Sequence, residues 1–383
     1  MNSNAKKMQK KKSGMETVLV SMLLVFILFS SVFTPVLLIR HLANDPSDQG
    51  TPTPKVTTPS NDGPVVDPPI VSNPLFSGGK IPAYPSSGSA TVSLNSELYS
   101  EYAVIVDAQT GEIVAGKNVD TPFSPASMTK VMTLIVACEK LTDTDLTKRL
   151  KLTPYYNDYE YNNLGVGLVS GQEFVNDEFY IKDLLFGIGV SSAADCTLMI
   201  AEYTYGSMDA FVAAMNQKAL ALGLKNTKFV DAAGDHLEDA PENNITTAND
   251  MAVIMAYAMQ IPMVREILSE DCYAFHGYYE KNGAEASYTR YFNSHLFESD
   301  DTSSRMVLYK QATGSKFVLN TVKNLMGKTG YLKNDDNSNK RSYLVCGAEG
   351  KTTGKQYVVV VGESSVIPNT MKDIKYLFDT YAK

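Results

Sequence analysis

Ten of the chain's 17 prolines fall between Pro46 and Pro85, and this placement decides which part of the 383 residues can build a packed body. Proline has no backbone N–H and fixes φ, so a stretch this rich in it cannot propagate a helix or a central strand. The intervening residues are mostly Ser, Thr, Gly and Asp, with no apolar periodicity. Such a segment buries too little surface to offset the entropy of ordering it, so residues 40–93 read as a semi-extended, disordered spacer. The folded part is expected over residues 94–383.

Ahead of the spacer the sequence changes character twice. Residues 1–17 are basic, with Lys6, Lys7, Lys10, Lys11 and Lys12. Residues 18–39 then run for 22 positions without a charge, from Val18 to Ile39. At the helical rise this is about 33 Å, enough to cross a bilayer. The alternative is a cleaved signal peptide, but those have apolar cores of roughly 7–15 residues and a small-residue cleavage site. His41 to Asp45 offers no such site. With the lysines before the span, the positive-inside rule puts the N-terminus in the cytoplasm. The expected location is the cell membrane, single-pass, with the folded part outside.

A net charge of −8 excludes a nucleic-acid binder, because neutralising phosphates needs an excess of Lys and Arg. Four cysteines, Cys138, Cys196, Cys272 and Cys346, are scattered without a CxxC pair, so zinc spacing is absent. Cys138 and Cys196 fall on apolar helical faces and read as buried thiols, although a disulfide stays open outside the cytoplasm. The histidines, His41, His236, His276 and His295, form no tight metal spacing. The acidic stretch from Asp231 to Glu242 lacks the EF-hand pattern and reads as a solvated loop. No metal or other cofactor is expected.

Within the folded part, Tyr102–Asp107 and Glu112–Ala115 read as a strand pair around a turn at Ala108–Gly111. Val131, Leu134, Ile135, Cys138 and Leu141 recur at helical spacing. Ile181–Phe186, Ala193–Tyr205 and Met208–Leu222 also read as helices, and Thr247 to Asp250 as a capping box opening a helix to Met259. Strands follow at Ser342–Cys346 and Tyr357–Val361, then a closing helix from Asn369 to Tyr381. The order implies an α+β fold with an antiparallel sheet.

Three short motifs carry chemistry. Ser127-Met-Thr-Lys130 opens a helix, so Lys130 lies one turn from Ser127 on the same face. A serine hydroxyl is a poor nucleophile without a base, and a lysine amine shielded from water can serve as one. The helix start also offers free N–H groups for a developing oxyanion. Lys328-Thr-Gly330, between Gly327 and Tyr331, joins a cation, a hydroxyl and a glycine that lets a substrate approach a strand. It is not a phosphate-binding loop, because Val322 occupies the required upstream glycine position. Ser191-Ser-Ala-Ala-Asp195 lies 65 residues after Ser127 at a helix start, where Ser192 reads either as a proton relay or as an ordinary N-cap. Each motif alone is weak.

In order and rough spacing they match the S-x-x-K, S-x-N and K-T-G set of penicillin-binding proteins and class A β-lactamases. The region from Tyr102 to Lys383 resembles the low-molecular-mass penicillin-binding proteins, the D-alanyl-D-alanine carboxypeptidases. Tyr102-Ala-Val-Ile-Val-Asp-Ala-Gln-Thr-Gly, Phe123-Ser-Pro-Ala before the nucleophile, Asp183-Leu-Leu-Phe-Gly187, Ala201-Glu202 and Thr246-Thr-Ala-Asn-Asp-Met-Ala252 share that family's layout. The resemblance implies a β-lactamase/transpeptidase-like fold, an antiparallel sheet flanked by helices with a helical subdomain. It implies a two-step acyl transfer on peptidoglycan stem peptides ending in D-Ala-D-Ala, with no metal. Ser127 would attack, Lys130 act as base, and Ser192 help protonate the leaving D-Ala. Lys328 and Thr329 would hold the terminal carboxylate, Gly330 would leave room, and the N–H groups of Ser127 and Tyr331 would receive the oxyanion. β-Lactams would acylate the same serine.

Two departures stand out. Ala194 occupies the position of the motif's asparagine, and Gly362–Asn369 holds no arginine where the family often has one after the last strand. The tether is expected at the N-terminus rather than behind the closing helix. The departures leave open a non-catalytic or antibiotic-sensing protein on the same fold. A β-lactamase is a weaker alternative, since no E-x-x-L-N-like run follows the second motif.

Overall fold

The computed structural model describes residues 79–94, 97–156, 174–234, 243–294, 319–333, 340–365 and 367–382. The expected membrane span, most of the spacer, His236, His295 and the loop 334–339 lie outside these residues. No single helix among the described residues is long and apolar enough to cross a membrane.

The strands in chain order are β1 (Ser86–Ser93), β2 (Tyr102–Asp107), β3 (Glu112–Lys117), β4 (Arg149–Lys151), β5 (Glu178–Tyr180), β6 (Cys272–Lys281), β7 (Ala284–Asn293), β8 (Val322–Lys333), β9 (Lys340–Gly350) and β10 (Gln356–Ser364). The helices are α1 (Lys130–Lys140), α2 (Asp143–Leu146), α3 (Ile181–Phe186), α4 (Ala194–Tyr205), α5 (Met208–Ala221), α6 (Ala248–Ala258), α7 (Pro262–Ser269) and α8 (Ile367–Tyr381). A six-stranded sheet runs in the order β1-β3-β2-β10-β9-β8.

The centre of this sheet is covered on both faces, which explains why β2 and β10 are apolar at nearly every position. Val104 and Val106 of β2, Val358 and Val360 of β10, and Tyr343 and Val345 of β9 join the core beneath the helical block. Their alternates, Ala103, Ile105, Val359, Val361, Leu344 and Cys346, join Met371, Ile374, Leu377 and Phe378 of α8. Side chains alternate faces along a strand, so one run of valines serves two cores. Helix α1 is buried on all sides, from Val131 to Cys138. It is the axis of the helical block rather than a surface helix.

Three expectations need correction. The boundary at residue 93 falls inside the folded body: β1 pairs with β3, and Lys80 and Gln260 exchange bonds of 2.8 and 2.9 Å. Strand β1 is polar and mostly exposed, so it carries no apolar alternation to reveal it. The main sheet is not wholly antiparallel, because β1 runs parallel to β3. A second, four-stranded sheet, β4-β5-β6-β7, was not expected at all. Its strands come from three distant stretches, and β4 and β5 have only three residues each, too short for a periodicity signal.

Thr247 caps α6 by accepting from the Asp250 N–H at 3.1 Å. The Asp250 carboxylate does not complete the reciprocal box. It accepts instead from the Tyr84 hydroxyl (2.9 Å), the Thr227 hydroxyl (2.8 Å) and the N–H groups of Lys225 and Asn226.

Candidate active site

Ser127 sits in a 3₁₀ turn, Ala126–Thr129, that leads directly into α1. Tight turns of this kind are common at helix N-termini. The turn is closed by the Met128 N–H on the Pro125 carbonyl at 3.1 Å. Ala126 takes a positive φ of 49°. Ser127 is half-buried, and Lys130, one turn on, is fully buried. The Lys130 Nζ donates to Ser127 Oγ at 3.0 Å and to the Ala233 carbonyl at 2.7 Å.

The Ala233 carbonyl belongs to a turn with its own scaffolding. The Asp231 carboxylate accepts from the N–H groups of Ala233 (2.6 Å) and Gly234 (2.5 Å). Thr133 of α1 donates to the Ala232 carbonyl at 2.5 Å. Asn244 ties this loop to the Ser127 turn. Its Oδ1 accepts from Val230 and Asp231, and its Nδ2 donates to Thr129 Oγ1 at 3.0 Å and to the Asp231 carbonyl at 3.1 Å. Gly234, at φ +72°, packs its Cα onto the Ala126 carbonyl, where any Cβ would collide. The expectation that Asp231 opens a solvated loop is therefore wrong: Asp231 is buried, because its carboxylate is spent on backbone N–H groups.

The K-T-G segment lies on β8, the edge strand of the main sheet. Gly330 faces the Ser127 turn. A Cβ built there would stand 2.8 Å from the Pro125 carbonyl oxygen, closer than real Cβ atoms come. The glycine is what allows β8 to lie against the Ser127 turn. Lys328 and Thr329 are buried, and Lys328 Nζ donates to the Thr329 carbonyl at 3.1 Å. Tyr331 is half-buried.

Ser192 ends a π-helical turn, Gly187–Ser191, in a left-handed conformation (φ 64°, ψ 31°). Such turns are frequent at functional sites. The Ala193 N–H returns to the Gly187 carbonyl at 2.9 Å, and α4 starts at Ala194. Ser192 is therefore not the N-cap of α4; Ala193 is. The π turn packs against α1, the helix that carries Lys130. Ala194 is fully buried at the first position of α4.

Sequence reasoning missed Asn244, Asp231 and Arg341. Nothing in the sequence marks Asn244, whose bond to Thr129 crosses 115 positions; Asp231 makes a local turn with Ala233 and Gly234, for which an Asp two to three residues before a glycine is a faint signal. Arg341 on β9 pairs its guanidinium with Glu363. It brings a cation to the Gly362–Asn369 stretch, which contains none of its own.

A serine and a lysine hydrogen-bonded at the head of a buried helix, with a glycine-edged strand against the same turn, define the class. The chain has the fold of penicillin-recognising serine enzymes. It superimposes on a mutant of the Streptomyces DD-transpeptidase with a TM-score of 0.58, at 22% identity, over 74% of this chain and 98% of that one. A penicillin-binding protein of Listeria monocytogenes in its cefotaxime-bound form matches at 0.54 and 21% identity, over 76% of this chain and 100% of that one.

The chain belongs to the D-alanyl-D-alanine carboxypeptidase family, whose profile matches residues 89–324. It is 32% identical over 194 residues to D-alanyl-D-alanine carboxypeptidase DacF of Bacillus subtilis, covering 50% of this chain and 45% of that protein. With D-alanyl-D-alanine carboxypeptidase DacA of Escherichia coli it is 31% identical, over 49% of this chain and 46% of the relative. The matched region thus spans about half the length of these curated relatives. A D-alanyl-D-alanine endopeptidase of Escherichia coli is 27% identical, over 63% of this chain and 73% of its own length.

Proposed function

We propose that the chain is a membrane-tethered, extracytoplasmic serine D-alanyl-D-alanine carboxypeptidase that trims peptidoglycan stem peptides. The observation that carries this reading is the Lys130 amine 3.0 Å from the Ser127 hydroxyl, in a turn that packs against Gly330 of the K-T-G strand.

In this mechanism Lys130 takes the Ser127 proton as Oγ attacks the penultimate D-Ala carbonyl. The N–H groups of Ser127 and Tyr331 receive the negative charge that develops on the carbonyl oxygen. Ser192 relays a proton to the amine of the departing D-Ala, and water then hydrolyses the ester on Ser127. The Ala233 carbonyl, fixed by Asp231 and Asn244, orients the Lys130 amine throughout. Lys328 and Thr329 bind the terminal carboxylate. A β-lactam, which presents a strained amide with a neighbouring carboxylate, acylates the same hydroxyl. The anchor would be residues 18–39, supported by length, lack of charge and the lysines before them. Sedimentation of the full chain with membranes, lost on removal of residues 1–39, tests it.

The site itself is tested by release of D-alanine from a pentapeptide ending in D-Ala-D-Ala. Ser127→Ala should remove activity almost completely, since deleting a nucleophile in a comparable site costs on the order of 10⁶ in kcat. Undiminished release by that variant sinks the assignment. Acylation by penicillin without D-alanine release would identify a sensor instead. A DD-endopeptidase is the second reading, supported by the relative of that name, which matches over most of its own length. Cleavage of a cross-linked dimer faster than of the pentapeptide would favour it.

A further inference from the structure

Among the described residues, those other than glycine and asparagine with a positive φ are Ala126 (49°), Ser192 (64°) and Glu363 (56°). A side chain is strained in this region, and such strain persists where its surroundings over-determine it, often at working sites. Ala126 and Ser192 flank or form the proposed machinery. Glu363 does neither, yet it sits at the irregularity of β10 between Val361 and Ser364.

What its placement achieves is visible in its partners. The Glu363 carboxylate receives the Arg341 guanidinium, and the residue before it, Gly362, lies opposite Tyr102 in the sheet. The Tyr102 ring lies flat on Phe123 (centroids 4.9 Å apart, 10° between planes), and Phe123 lies on Tyr343 (5.7 Å, 13°). Gly362 leaves room for these rings: a Cβ there would stand 2.7 Å from Tyr343 and 3.7 Å from Tyr102. Phe123 is four residues before Ser127, and its backbone is pinned to Thr246 by two bonds of 2.9 Å. The ring stack therefore fills the space between the ends of β2, β9 and β10 and the segment that delivers the nucleophile.

We propose that Tyr102 is a positioning residue for Ser127: its ring, stacked on Phe123, braces Phe123–Ala126 in the strained form that aims the serine. Without the brace, Ala126 would relax toward negative φ and rotate the residue that follows it. Burial, and then the charge of Glu363, raise the Tyr102 pKa above the ordinary phenol value. The inference rests on Ser127 being the nucleophile.

Two variants test it, each measured for the rate of acylation by a fluorescent penicillin and for melting temperature. Tyr102→Phe keeps the stacked ring and Tyr102→Ala removes it. The expected result is acylation of the folded protein slowed about tenfold in Tyr102→Ala, because misplacement of a reacting group is costly, and held near the wild-type rate in Tyr102→Phe. A merely structural role predicts a lower melting temperature for Tyr102→Ala with unchanged acylation of the protein that remains folded. Acylation by folded Tyr102→Ala within twofold of wild type, or equally slow acylation by both variants, overturns the proposal. A wild type that is not acylated overturns the functional reading and this inference with it; a reactive wild type with unchanged variants overturns this inference alone.

Discussion

Replacing Asn244 by alanine should loosen the active site from behind. Asn244 is almost completely buried and makes four hydrogen bonds, to the N–H groups of Val230 (2.7 Å) and Asp231 (3.1 Å), to Thr129 Oγ1 (3.0 Å) and to the Asp231 carbonyl (3.1 Å). Each such bond contributes about 1 kcal/mol net, so Asn244→Ala forfeits about 4 kcal/mol. A water entering the vacated, polar space would restore roughly 1 kcal/mol, leaving a loss of about 3 kcal/mol. For a domain of this size that is a fall in melting temperature of roughly 6–12 °C. The same change frees the turn that presents the Ala233 carbonyl to Lys130, so acylation by penicillin should slow by about ten- to a hundredfold in the protein that remains folded. Thermal unfolding and stopped-flow acylation measure the two effects separately. A melting temperature within 2 °C of wild type, with acylation unchanged, would refute the claim that Asn244 clamps the two loops together.

Gly330→Ala would place a methyl group 2.8 Å from the Pro125 carbonyl oxygen; the backbone shift needed should cost about 1–3 kcal/mol and reduce acylation, read in the same assay. Phe378→Ala, in the cluster that docks α8 on the outer sheet face, should cost about 3–5 kcal/mol in urea unfolding while leaving the acylation rate of the folded protein unchanged. Asp145 is held below the ordinary carboxylate range by hydrogen bonds from Lys148, Thr142 and Tyr203 to its ionised form. Its folded state therefore favours loss of the proton, so the stabilisation is present above about pH 4 and fades as pH falls through the depressed value. Asp145→Asn should lower stability at neutral pH and flatten the acid limb of the stability curve below about pH 4; an unchanged acid limb would contradict this.

Much of the architecture was legible because local physics and tertiary packing agreed. The valine runs of β2 and β10, the apolar repeat of α1 and the alternating pattern of α8 each announce their element. Ser127 and Lys130 were readable as a pair for the same reason: helical spacing alone puts residues three apart on one face, whatever surrounds them. Half of the second sheet carried a local signal that sequence reasoning missed: β6 and β7, ten residues each, flank Asn282-Gly283, both at positive φ, a two-residue hairpin turn. Its other half was not readable, because the three-residue strands β4 and β5 have too few side chains to show a period and gain their stability from partners far along the chain. Strand β1 was hidden by its polarity, since its place is secured by backbone bonding at a sheet edge rather than by an apolar face.

The sequence by itself determined the motifs, their order and the helix that joins the serine to its lysine, since those depend on near neighbours. Only the tertiary structure decided that the Ala233 carbonyl meets Lys130, that Asn244 spans two loops, and that Glu363 bends out of its strand to hold Arg341. These contacts join residues separated by tens to hundreds of positions. No local pattern encodes them, because the loop-closure entropy they cost is repaid only once the whole core has packed.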